Sequence, residues 1–379
     1  MNLTSFIPQE KFLHGPGPSI IHPNTLKAMV KPIIGHLDPD FVLFMEEVKT
    51  LLKSALETNN RFTFPVSGPG SVGMETCFVN LVEPGDRVVV CVNGVFGQRM
   101  VENVKRSGGI PLILEVAWGE AIQPNVLKKF LQEQKKSGDI HLVAFVHAET
   151  STGTLSDAEV LCNTIREFNA LIIMDAVTSV AGVPVRMDAW GIDALYSGTQ
   201  KCLSCPPGLS PVSINKRAFK KIQTRKSTVQ SWFMDLSLVQ KYWDMGGQAA
   251  RTYHHTPPIN LLYALHESLV LFHQEGKENV WQRHKETATK LKSGLLHLGF
   301  EYFVSEAAQM PQLHVVIPPK SIREQEAIAR MKLLKEHHIE IAGGLGVLAG
   351  KVWRIGLMGH AAREESVDRL LTCIEKILN

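Results

Sequence analysis

Cysteine is sparse in this chain, six residues in 379, and apart from Cys202 and Cys205 the six are spread singly. So few thiols in so long a chain do not make a disulfide framework, and they suit a reducing compartment. No uninterrupted apolar run approaches the ~18 residues that cross a bilayer, which gives no reason to expect a membrane partner. The opening "MNLTSFIPQEKFLHGPGPS" lacks the basic start and long apolar stretch of a secretory signal, and the final "ILN" is not a peroxisomal address. A cytoplasmic location is therefore expected. Charge of one sign is scarce as well: the net charge is +3, with lysines and arginines scattered rather than clustered. Neither nucleic acid nor anionic lipid finds a footprint in such a pattern. There is no internal repeat and no low-complexity segment. What is present is a globular composition, 44% hydrophobic and 20% charged. A chain of this length buries about three quarters of its unfolded surface and can shelter a desolvated site.

Through the first two thirds, strand-like apolar runs alternate with helix-period segments. The runs are "RFTFPV", "DRVVVCVN", "IPLILEV", "IHLVAFVHA", "ALIIMDA", "DALYSG" and "LSPVSIN"; helix periods fall at 71–82, 97–107, 124–136 and 156–168. That alternation predicts an α/β fold with a mainly parallel sheet flanked by helices. After about residue 260 the texture changes to long helical patterns at 262–275, 278–299, 322–337 and 363–378, with few strand candidates between them. The expected organisation is an arm over 1–13, a large domain over 14–274 and a smaller α+β domain over 275–379. Ligands of such sheets sit outside the carboxyl ends of the strands, and several of these strands end in polar or small residues.

Three of those strand ends carry chemistry. "SGPGSVGMETCFVNLV" contains Gly68-x-Gly70-x-x-Gly73 between a strand and a helix. A dinucleotide site would also need an acid ending the next strand, whereas "DRVVVCVN" begins with Asp86 and ends with Asn93. Small residues opening a helix still offer backbone N–H groups and the positive dipole end to an anion such as phosphate; the alternative is a bare structural turn. "LIIMDAVTS" brings Asp175 to the edge of the sheet, where a carboxylate is costly unless a cation or donor meets it. A helix cap or an ordinary ion pair would also satisfy it. Lys201 follows 26 residues later in "ALYSGTQKCLSCPPGLSPV", on a neighbouring strand end. Alone, such a lysine is a solvated surface residue. Together the three are the components of a pyridoxal phosphate site: an anion cradle, an acid for the ring nitrogen and an amine for the aldehyde.

Two further motifs suggest metal. Cys202-x-x-Cys205 has no second pair, and His254-His255 has no third ligand at metal-site spacing, so no metal is expected. Arg354 alternates with apolar residues in "KVWRIGLMG". It reads as an inter-domain ion pair or as a two-pronged carboxylate clamp.

The elements "HGPGPS" (14–19), "SGPGSVGMET" (67–76), "NGVFGQRM" (93–100), "HAETSTG" (147–153), "MDAVTS" (174–179), "YSGTQKCLSCPPG" (196–208), "YHHTPP" (253–258), "GGLG" (343–346) and "WRIGLMG" (353–359) stand in an order and spacing that resemble the class V aminotransferases. The alanine–glyoxylate/serine–pyruvate branch is the most similar, and the resemblance covers nearly the whole chain. It implies the fold type I architecture of pyridoxal phosphate enzymes, with Lys201 as the Schiff-base lysine and Asp175 holding the pyridinium proton. Phe96 would stack on the ring where relatives usually have tryptophan, Val177 would press on the other face, and Thr150 would sit near the ring hydroxyl and the substrate carboxylate. Gly70, Ser71 and Gln200 would bind the phosphate. Relatives often read Ser-Gly-His where this chain has Pro69-Gly70-Ser71, so one side-chain donor is absent. Tyr253 and Thr256 would reach the phosphate of a neighbouring subunit's cofactor, which implies a homodimer with shared sites. Arg354 would bind the substrate α-carboxylate.

The reaction so implied is ping-pong transamination through pyridoxamine phosphate, from a small amino acid (alanine, serine or glycine) to glyoxylate or pyruvate. Gly35, in "IIGHLD", matches the small-substrate branch. The 3-hydroxykynurenine and ureidoglycine–glyoxylate transaminases of the same family are the alternatives, and a nicotinamide-dependent dehydrogenase is disfavoured by the misplaced acid.

Overall fold

The computed structural model describes residues 4–243 and 251–378. Its first core is built on a seven-stranded sheet of Phe62–Ser67 (β1), Arg87–Val92 (β2), Ile110–Glu115 (β3), Leu142–Val146 (β4), Leu171–Asp175 (β5), Ala194–Tyr196 (β6) and Leu209–Ile214 (β7), in spatial order β1-β7-β6-β5-β4-β2-β3. The central strands "LVAFV" and "LIIMD" are buried along their whole length and apolar but for the closing Asp175, as strands covered on both faces must be. Helices Gly70–Leu81 (α1), Val95–Arg106 (α2), Pro124–Lys135 (α3) and Ala158–Arg166 (α4) connect them.

The sheet departs from all-parallel order at one strand. β7 runs antiparallel to both neighbours, β6 and β1. The link from β6 to β7 carries no helix, and a parallel return would need a crossover. The link is instead spent on the loop that carries Lys201.

Helix Ile259–Glu275 (α5) still packs on the first core, while Lys277–His297 (α6), Glu326–His337 (α7) and Glu364–Leu378 (α8) enclose a second one. That second core lies on a four-stranded antiparallel sheet of Glu301–Tyr302 (β8), Leu313–Ile317 (β9), Ala342–Gly343 (β10) and Trp353–Gly356 (β11), ordered β8-β9-β11-β10. Residues Phe12–Leu13 pair in parallel with Ile339–Glu340, so the start of the chain is tied to this second unit. The main-chain bond from Gly356 N–H to the His14 carbonyl, 2.7 Å, then leads the following "GPGPS" across to the first.

Candidate active site

The carboxyl ends of β1, β2, β4, β5 and β6 open into one cavity of about 230 Å³, whose lining includes Gly70, Ser71, Phe96, Thr150, Asp175, Val177, Gln200 and Lys201. Eight of the residues singled out in the sequence thus meet at one place.

Asp175 is held on both oxygens. Val177 N–H donates to Oδ1 at 2.8 Å and the Tyr196 hydroxyl to Oδ2 at 2.8 Å. Strand register explains the second bond, since Asp175 and Tyr196 are partners across β5 and β6. Burial pushes the Asp175 carboxyl up to about 7; the Val177 and Tyr196 bonds oppose the rise, and the charge of nearby Glu149 adds to it. No cation forms an ion pair with it among the described residues. A protonated ring nitrogen would supply the missing positive charge.

Lys201 Nζ donates to the Pro16 carbonyl. Gly17 has φ of +108°, and a Cβ there would lie 2.5 Å from Nζ, so glycine satisfies both the backbone turn and the close approach. Ser19 grips the same loop twice, through its N–H on the Gln200 carbonyl at 2.9 Å and its Oγ on the Lys201 carbonyl at 2.7 Å. Burial lowers Lys201 to about 8; Arg354 and Arg99 lower it too, while Cys202 and Asp175 hold it up. A neutral amine is therefore within reach near neutral pH.

At the other end of the cavity, α1 begins at Gly70 with no side chain capping it. Its first N–H groups are left for an anion. Gln200 Oε1 is buried without a hydrogen-bond partner among the described residues. A Cβ at Gly70 would meet Val177 Cγ2 at 3.2 Å, so glycine keeps this corner open. An uncapped helix start, an unpaired acid and a shifted lysine in one cavity fit pyridoxal phosphate.

Arg354, on β11 and only 6% exposed, does not line the cavity itself and meets it through the lining residue Thr150. Nε donates to the Gly343 carbonyl at 2.8 Å and Nη1 to the Thr150 carbonyl at 3.3 Å. Burial lowers its guanidinium to about 10, with Glu149 opposing. The inter-domain ion pair considered from the sequence is absent among the described residues: the bonds of Arg354 go to carbonyls.

Not every expected residue joins this cavity. Tyr253 is 60% exposed, Thr256 is exposed as well, and neither lines it. Gly35 is exposed, with nothing within 4 Å of a Cβ built on it. Cys202 and Cys205 are buried thiols, and no cluster of metal-ligating groups occurs among the described residues. His254 and His255 face each other, Nδ1 to Nδ1 at 2.8 Å, with His255 Nε2 2.8 Å from Ser67 Oγ. Asp86 lies at the far end of β2, paired with Lys221 at 2.9 Å. Sequence reasoning missed Tyr196, Arg99 and Glu149. The first two line the cavity. The one available signal for Glu149 was an acid set among small residues directly after a buried strand.

The family model Aminotransferase class-V matches residues 24–370. The chain is 39% identical to the alanine–glyoxylate aminotransferase of Oryctolagus cuniculus, over 97% of this chain and 92% of that protein. Among solved structures, an alanine–glyoxylate aminotransferase from Nostoc sp. superposes with a TM-score of 0.95 at 42% identity, covering 100% of this chain and 98% of that one. The ureidoglycine–glyoxylate aminotransferase of Bacillus subtilis superposes with a TM-score of 0.93 at 34% identity, covering 99% and 94%.

Proposed function

Since the chain belongs to the class V aminotransferases, we propose that it transfers the amino group of a small amino acid, alanine first, to glyoxylate, in two half-reactions at one site. The observation that carries this reading is the convergence of Lys201, Asp175 and the open start of α1 on one cavity. Pyridoxal phosphate, on which the family depends, supplies when bound a carbonyl for the substrate amine and a ring that accepts electrons from Cα.

The chain does the rest. The Gly70 and Ser71 N–H groups and the Gln200 amide hold the phosphate, and Phe96 and Val177 pack against the ring. Asp175 keeps a proton on the ring nitrogen, because an anion beside it favours the charged form. Arg354 takes the substrate α-carboxylate with its remaining donors, and Thr150 lies beside it. Lys201 Nζ, lowered to about 8 by burial, would in its neutral form accept the proton from substrate Cα and hold it for return. Water enters only to release the keto acid.

The same proposal assigns the cofactor to residues 14–274, Arg354 to a smaller unit over 275–379, and an arm to 1–13. It makes the working form a homodimer, in which Tyr253 and Thr256 reach the phosphate of the partner's site; their exposure away from their own cavity supports this. A cytoplasmic location is supported by six free, buried thiols.

The test is to supply the purified protein with L-alanine and glyoxylate and quantify pyruvate and glycine. Stoichiometric pyruvate and glycine are expected, with serine a weaker donor. A holoenzyme inert to alanine but active with (S)-ureidoglycine or 3-hydroxykynurenine would overturn the choice of donor and leave the reaction class standing.

A further inference from the structure

Glu149, just after β4, is a fully buried acid with no role so far. Four donors converge on its carboxylate. Ser151 N–H at 3.0 Å and Ser151 Oγ at 2.6 Å reach Oε1; Phe96 N–H at 3.1 Å and Gly97 N–H at 3.3 Å reach Oε2. Ser151 Oγ in turn accepts the Val95 N–H at 2.9 Å. The first three N–H groups of α2 are therefore all taken by two side chains from the loop after β4, although the cap residue Gly94 supplies no side chain of its own. Those orphan donors, at the positive end of the dipole, are where a buried carboxylate is best stabilised. Gly94 makes room for it: a Cβ there would lie 2.4 Å from Ser151 Oγ and 2.5 Å from Glu149 Cδ.

Two connections lead from this knot to the cavity. Phe96, which lines the cavity, has its N–H in the grip of Glu149. Thr150, the next residue, gives its carbonyl to Arg354 Nη1, and the Glu149 charge helps keep that buried guanidinium protonated. Burial pushes Glu149 itself up and the four hydrogen bonds oppose the rise. A polar group this deep is tolerated because its acceptors are filled.

We propose that Glu149 is a positioning residue of the active site, whose carboxylate pins the start of α2 so that the Phe96 ring is set against the cofactor, and braces the Thr150–Arg354 contact from behind. The inference rests on reading the cavity as a pyridoxal phosphate site.

A double-mutant cycle tests it, with pyridoxal phosphate affinity read from quenching of tryptophan fluorescence and the cofactor's setting read from visible circular dichroism. Glu149→Gln keeps the shape but turns one end of the group into a donor facing donors. Affinity should fall roughly tenfold or more, as for loss of a charge-assisted hydrogen bond, and the dichroism should shrink. Phe96→Ala weakens binding by itself. In that background Glu149→Gln should have a much smaller effect on affinity, because no ring is left to position. Additive effects, or unchanged affinity and dichroism in Glu149→Gln, would overturn the proposal. If Glu149→Gln does not fold, Ser151→Ala, which removes one donor and one acceptor of the same knot, enters the same cycle and is judged by the same non-additivity. Failure of the wild-type protein to bind pyridoxal phosphate would overturn the site assignment and this proposal with it, whereas additivity in a binding-competent protein overturns only the role of Glu149.

Discussion

At the scale of single residues, burial displaces two ionisable groups of the cavity, Asp175 and Lys201, toward neutrality, and each has a measurable signature. Folded Asp175 titrates at about 7, against about 3.9 in an unfolded chain. Between these values the folded protein holds a proton that the unfolded chain has released, so this group lowers stability as pH rises from about 4 to 7. In cofactor-free protein, Asp175→Asn should remove that downward trend, which urea unfolding at several pH values would show. In the holoenzyme the same substitution leaves no anion for the ring nitrogen, and each pKa unit lost there is about 1.4 kcal/mol. Single-turnover proton removal should slow far more than cofactor binding weakens. Lys201 has the opposite trend: a folded value of about 8 against 10.5 makes the unfolded chain the better proton binder between them, so stability rises over that window and Lys201→Ala should abolish the rise. Arg354→Lys should raise KM for amino and keto acids about tenfold or more while leaving amines without a carboxylate unaffected, because a point charge replaces a planar fork. Asp175 and Lys201 were legible in the sequence only together, because each alone has ordinary structural uses while both fall at neighbouring strand ends beside a helix start of small residues. Tyr196 and Glu149 were not, because what they do depends on partners brought by strand register and by a loop from elsewhere in the chain.

At the scale of elements, the sheet positions the site by ending its strands together and leaving a helix start uncapped. The central strands were readable from their unbroken apolar composition. The reversal of β7 was not, since "LSPVSIN" has the same composition in either direction and only the helix-free link before it decides. Helix Pro39–Ala55 also fell outside the strand-helix alternation, although Asp38 caps it by accepting the Asp40 N–H at 2.8 Å. The segment "GPGPS" shows how an irregular element carries function: it presents the Pro16 carbonyl to Lys201 and clamps the lysine loop through Ser19. Gly17→Ala should strain the backbone and press a methyl group on Nζ. The expected cost is about 1 kcal/mol or more in stability, together with a clear loss of cofactor affinity, both checked by thermal unfolding with and without pyridoxal phosphate.

At the scale of the whole molecule, Arg354 on the sheet of the second core touches Thr150 beside the cavity of the first, so the proposed substrate clamp and the proposed cofactor site lie on different parts of one chain. The exposed Trp232 stacks on His254, and the exposed Tyr253 lies 5.5 Å from the ring of His36. Ile33 and Leu37, on either side of His36 in the chain, are exposed as well. Mixing inactive Lys201→Ala chains with an inactive Tyr253/Thr256 double variant should restore activity in verified heterodimers, and an active monomer in sedimentation would exclude the shared-site arrangement. The change in texture near residue 260 led to the expectation of a second unit, although helix Ile259–Glu275 packs on the first core, and how two chains meet depends on surface shape that no sequence pattern records. The central claim is that Lys201 carries the cofactor, and its most direct measurement is borohydride reduction of the holoenzyme followed by peptide mapping. A single phosphopyridoxyl label on the peptide containing Lys201, absent from Lys201→Ala, is the expected result; a label on any other lysine, or none on a protein that turns over alanine and glyoxylate, would contradict it.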